Sequence, residues 1–130
     1  MRSNSDDQGT GMQGSSFTTL LFRGRVDAGT SYKTGPRSGY ARCKNVVIFI
    51  KVVGAHATPP SLAFSLYHGP DAANLALYGT VIAAATATGV LAGSTDADTN
   101  GQFGDILEGS ITVTGSNWAS IEVYEVRKPF

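Results

Sequence analysis

Between Ser61 and His68 the chain alternates with a period of two: Leu62, Phe64 and Leu66 on one side, Ser61, Ala63, Ser65 and Tyr67 on the other. That period is a strand with one face in a core. The same alternation recurs near the end. Leu107, Ile111 and Val113 alternate with Glu108, Ser110, Thr112 and Thr114, and Ala119, Ile121 and Val123 follow at odd positions. A three-residue Gly115-Ser116-Asn117 loop keeps these two apolar faces in agreement, which predicts a hairpin pairing Ile111 with Ile121 and Val113 with Ala119. Asn117 then sits where left-handed backbone is wanted, and Asn tolerates it. A different pattern spans Tyr40 to Val53, whose centre, Val46-Val47-Ile48-Phe49-Ile50, is apolar on both faces. A run of β-branched and aromatic residues like this predicts a strand covered on both sides.

Further strands are expected over Phe17 to Arg25, near Tyr32, over Leu75 to Ala83 and over residues 88–92. In the first, Phe17, Thr19 and Leu21 share one face and Leu20 and Phe22 the other. Turns are expected at Gly54 to Pro60 and at Gly69-Pro70-Asp71, with Asp71 able to cap one helical turn, and a polar loop over 93–105. Seven or eight short strands between turn signals predict an all-β fold, an antiparallel β-sandwich or barrel-like jelly roll. Residues 1–16 hold only methionines as apolar content and read as a flexible N-terminal arm. Residues 17–130 read as a single domain, which suits the chain's 130 residues.

Composition agrees. Charged residues make up 15 % of the chain and there are 16 glycines, a mix that favours short strands and tight turns over helices. The single cysteine, Cys43, excludes an intramolecular disulfide and fits synthesis in a reducing cytosol. The N-terminus lacks the apolar stretch of a signal peptide, and no segment is apolar enough for a membrane helix, so no membrane association is expected.

Net charge is zero but divided along the chain. Residues 23–51 carry seven basic groups and one acid, Asp27, while residues 52–126 carry seven acids and no Lys or Arg. Either the strands interleave and mix these charges, or the molecule has a basic and an acidic face that steer association. Tyr32 and Tyr40 among the cations superficially suit a single-stranded nucleic acid. A neutral chain argues against that partner.

Candidate chemistry is sparse. His56 lies in a turn and His68 closes a strand; both read as structural. Cys43, between Arg42 and Lys44, reads as a small buried residue. No nucleophile elbow, phosphate loop or dinucleotide fingerprint occurs, so no enzyme and no cofactor is expected. Asp96, Asp98 and Asn100, followed by Gly101, match the opening of a calcium loop, but the acid due at its twelfth position is Leu107. Asp and Asn-Gly are also ordinary turn residues.

The stretch Asn45 to Val53, then Thr58-Pro59-Pro60-Ser61-Leu62-Ala63-Phe64-Ser65-Leu66-Tyr67-His68-Gly69-Pro70-Asp71, resembles small β-sandwich virion proteins of tailed bacteriophages, several of which are head decoration or cement proteins. Gly109 to Gly115 with Ala119 to Val123 resembles their closing hairpin. The pattern departs after Asp71, where Ala72-Ala73-Asn74-Leu75 stands in place of Gly and an aromatic.

The resemblance implies a virion protein, made in the host cytoplasm, that binds the major capsid protein on the capsid surface and forms a dimer or trimer. The expected contact residues are Val46, Ile48 and Ile50 on the two-sided strand, the basic Arg23, Arg25 and Arg37, and a C-terminal strap of Arg127, Lys128 and Phe130. A sugar- or receptor-binding module of a tail or fibre, using exposed aromatics, is the first alternative. A tail-tube or head-completion protein is the second.

Overall fold

The computed structural model describes residues 17–95 and 103–130. The expected arm at 1–16 and the Asp96, Asp98 and Asn100 loop lie outside the described residues. The described chain forms eight strands: β1 (Phe17–Asp27), β2 (Ser31–Lys33), β3 (Cys43–Ala55), β4 (Ser61–Asp71), β5 (Asn74–Thr86), β6 (Val90–Ser94), β7 (Ile106–Thr114) and β8 (Trp118–Pro129). They make two four-stranded antiparallel sheets, ordered β1-β8-β3-β6 and β2-β7-β4-β5.

The strands pair in a nested set, β4 with β5, β3 with β6, β2 with β7 and β1 with β8. The long double ribbon so formed is rolled up by the further pairings of β8 with β3 and β7 with β4. This is a jelly roll, one of the ways a β protein limits its free edges. It realises the sandwich expected from the sequence.

The core comes from the inward halves of the alternating strands. Leu62, Phe64 and Leu66 of β4 are buried, as their period requires, against Ile111 and Val113 of β7 and Ala119, Ile121 and Val123 of β8. Burying one such aliphatic or aromatic side chain stabilises by roughly 1.5–3 kcal/mol.

Two expectations fail in an instructive way. β7 and β8 do not form a hairpin; they lie in opposite sheets, so Ile111 pairs with Phe64 and Tyr32, and Ile121 with Gly24 and Val52. Gly115-Ser116-Asn117 is an arch between sheets, with Asn117 at φ 75° and its side-chain amide donating to the Thr58 carbonyl at 2.8 Å. Agreement of apolar faces is required of an arch just as of a hairpin, so parity alone does not separate them. The reversal after β4 also comes later than expected. Gly69, Pro70 and Asp71 belong to β4, and the turn is Ala72-Ala73, where Asp71 Oδ1 accepts from the Ala73 N–H at 2.9 Å.

Smaller differences follow local geometry. The segment expected to start a strand at Tyr40 first makes a 3₁₀ turn, Tyr40–Arg42, after Gly39 at φ 91°. In β1 a bulge between Leu20 and Phe22 shifts the parity, so Leu21 and Phe22 both pack on the core while Leu20 stays 40 % exposed.

Candidate docking face

The two sheets differ in what they turn outward. On β2-β7-β4-β5 many outer positions are hydroxylic, Ser61 and Ser65 of β4 beside Thr114 and Ser110 of β7, with the Ser65 and Thr80 hydroxyls 3.4 Å apart; the Tyr67–Leu77 pair, with Leu77 57 % exposed, is an apolar exception.

The outer face of β1-β8-β3-β6 is built otherwise. Leu20, Tyr124, Phe49 and Ala92 stand side by side across the four strands, and Thr18, Val126, Val47 and Ser94 form the next row. Val53 and Val90 extend this surface at 54 % and 60 % exposure. Beside these rows lies a charged one, Arg23, Glu122, Lys51 and Val90. Arg23 Nε is 3.1 Å from Glu122 Oε2, and the Tyr124 hydroxyl donates to Glu122 Oε1 at 2.8 Å. The Tyr124 bond holds the Glu122 carboxyl below its usual range, with Arg23 and Lys51 adding to the effect against some desolvation. At the far end Arg25 Nε meets Asp27 Oδ1 at 3.1 Å, and the Arg25 guanidinium lies 5.0 Å from the Trp118 ring centre.

The expected contact residues divide. Val46, Ile48 and Ile50 are fully buried in the sandwich and cannot meet a partner; the outward residues of that strand are Val47 and Phe49. With both faces apolar, alternation could not say which set points in. Arg23 and Arg25 do lie on the outer face, whereas Arg37 is held beside Leu107 of β7 by backbone hydrogen bonds of 2.8 and 2.9 Å. The C-terminal strap is no strap: Arg127, Lys128 and Pro129 are paired in β8 against β3, and only Phe130, 69 % exposed, projects beyond.

Arg127 has a different place. Its Nε bonds Glu125 Oε1 at 2.8 Å, its terminal nitrogen donates to the Ser38 carbonyl at 3.0 Å, and its guanidinium lies 3.9 Å from the Tyr40 ring centre. Glu125 is buried, and its other oxygen accepts the Tyr40 hydroxyl proton. This knot ties the 3₁₀ turn and the Ser38 loop to the central strand β8. Burial, then the bond to Glu125, pushes the Tyr40 phenol far above the usual tyrosine range.

A group whose folded pKa is raised adds stability that is complete below the unfolded value, about 10, and is lost as pH climbs through the folded one. In an alkaline titration followed by phenolate absorbance, Tyr40 is therefore expected to ionise well above the usual tyrosine range, together with loss of fold. The Tyr40→Phe variant should lack that late step; an identical titration curve would contradict the assignment.

The remaining reactive side chains are engaged locally. His56 Nδ1 accepts from the Thr58 N–H at 3.0 Å and His68 Nδ1 from the Gly104 N–H at 2.9 Å, with the His68 ring 5.0 Å from that of Tyr78. Cys43 is buried, which raises its thiol pKa. Among the described residues, no three His, Cys, Asp or Glu side chains converge as metal ligands would.

The fold has solved counterparts. No protein family matches the sequence, and a search of curated proteins finds no match. The PBSX exported protein XepA superposes over 95 % of this chain with a TM-score of 0.67 at 6 % identity. Infectious bursal disease virus, Gt strain, superposes over 88 % with a TM-score of 0.58 at 9 % identity. A mutant VP2 protein of the same virus in derived T=1 particles gives 0.56 at 9 % identity over 88 %. At these identities the likeness is one of fold. The chain spans 40 % of the XepA chain, 33 % of the Gt-strain chain and 32 % of the VP2 chain.

Proposed function

We propose that the chain is a non-enzymatic virion structural protein of a tailed phage, docked on the capsid surface as a decoration protein bound to the major capsid protein. The observation that carries this reading is the contrast between the two outer faces, one richer in hydroxyls and one with Leu20, Tyr124, Phe49, Val126 and Val47 side by side next to a charged margin. Contiguous apolar surface of that kind marks an interaction site. The counterparts that include XepA and particle-forming VP2 supply the fold-level support.

In this role each copy contributes a modest contact, and many copies bridging neighbouring shell subunits add their effects through avidity. Self-association into a dimer or trimer belongs to the same proposal, as does synthesis in the host cytoplasm with no nucleic acid or membrane as partner. Quantitative mass spectrometry of purified particles tests it. Copy numbers near those of the shell protein are expected. A few copies per particle would transfer the chain to the tail or head-completion machinery, and none would remove it from the virion.

A second reading has one observation behind it. Trp118 and Tyr124 belong to the same sheet as the apolar rows, and aromatics on a sheet face suit sugar binding. Arg25 over the Trp118 ring and Glu122 on the Tyr124 hydroxyl already engage both.

A further inference from the structure

We infer that the outer face of β1-β8-β3-β6 is the docking surface, and that its occupant is a protein surface with an apolar centre and an acidic margin. The inference rests on the proposed virion role and names the side of the molecule, and the partner chemistry, that the role requires.

The first argument is charge. β1 carries a net +1, β3 a net +2 and β8 none, so the strands of this sheet hold +3, while Lys33, Asp71 and Glu108 leave the other sheet at −1. The excess is not neutralised within the face. Its two outward acids, Glu122 and Asp27, are already engaged by Arg23 and Arg25, so Lys44, Lys51 and Lys128 are the surplus. A partner that supplies carboxylates around the margin meets that surplus, and such complementarity sets encounter rate and register.

The second argument is extent. Four strands about 4.8 Å apart, along the roughly 34 Å from Trp118 to Lys128, give a footprint of about 600 Å². One side of a standard protein interface is about 800 Å². The face therefore supplies about three-quarters of such a side and exceeds what a small ligand needs.

Nucleic acid is the weaker occupant. Glu122 stands in the middle of the cationic row, between Arg23 and Lys51, where it would oppose a phosphate. The two rows beside it hold two aromatics, Tyr124 and Phe49, among aliphatic and hydroxylic residues, whereas base stacking calls for a longer succession of aromatics.

The test is co-sedimentation of the purified chain with shells of the encoding virus that have been depleted of it. Arg25→Glu with Lys51→Glu is expected to weaken binding at least tenfold, and raised salt to weaken the wild type. Val53→Ser with Val90→Ser, both highly exposed, should weaken binding without altering the melting temperature. Leu77→Ser, on the opposite sheet and 57 % exposed, should bind as wild type. Wild-type binding by both double variants would overturn the docking face and leave the virion role standing. No binding of the wild type would overturn both. Tight binding of a single-stranded oligonucleotide, lost in Arg25→Glu with Lys51→Glu, would replace the protein partner by nucleic acid.

Discussion

Arg127→Ala is expected to destabilise the fold by about 3–5 kcal/mol, as removing one partner of a buried ion pair does. Glu125 is 1 % exposed and would be left charged in the sandwich, with only the Tyr40 hydroxyl to satisfy it. The Ser38 carbonyl would lose its donor, and the Tyr40 ring its cation. Domains of this kind are stable by only about 5–15 kcal/mol, so urea unfolding should show a large fall in the midpoint. Replacing both charges by apolar groups, Glu125→Leu with Arg127→Met, should recover much of the loss, because the desolvation cost disappears with the pair. A fall of under about 1 kcal/mol for the single variant would mean that the pair is hydrated and that the Ser38 loop is held by other contacts.

Phe64→Ala should cost a similar amount, about 3–5 kcal/mol, through lost transfer energy and the cavity left behind. Phe64 is fully buried, and the reason a ring fits there is Gly109 on the neighbouring strand. A Cβ at position 109 would lie 2.3 Å from Phe64 Cζ and about as close as 3.0 Å to the next ring carbon. Gly109→Ala is thus expected to overpack the site and cost roughly 1–3 kcal/mol, since the fully buried ring would have to shift. The two sites should couple. With Phe64→Leu in place, Gly109→Ala should cost clearly less than alone, and a double-mutant cycle of denaturant midpoints reads this directly. Strict additivity would show that the ring and the glycine are not packed against each other.

How far the sequence foretold this molecule depends on the kind of information each element carries. The inward trio of β4 and the odd-numbered apolar residues of β7 and β8 were legible, because one polar face fixes the other. So was the left-handed Asn117. The partner of each strand was not legible, since alternation describes one strand at a time; that is why an arch between sheets read as a hairpin. The docking face was legible only to the point of knowing that β3 has two apolar sides. Its orientation needed β8, where buried Ile121 and Val123 leave Tyr124 and Val126 outward. The Glu125 knot does leave a trace in the sequence: Ala119, Ile121, Val123 and Glu125 share one parity, so the period itself puts a carboxylate into the core, with Arg127 next in the series.

The rolled ribbon has a consequence for how the molecule is made. β8 is the last strand in the chain, yet it lies between β1 and β3 and pairs with both along most of their length. Until it has emerged from the ribosome, two of the longest strands face each other across an empty slot with their hydrogen-bonding edges open. Among the described strands only β4 and β5 join as neighbours along the chain within one sheet. Ordering by long-range pairing of this sort is slow and exposes unpaired edges on the way. Nascent chains arrested before Trp118 should accordingly be protease-sensitive, and resistance should appear only once β8 has been made.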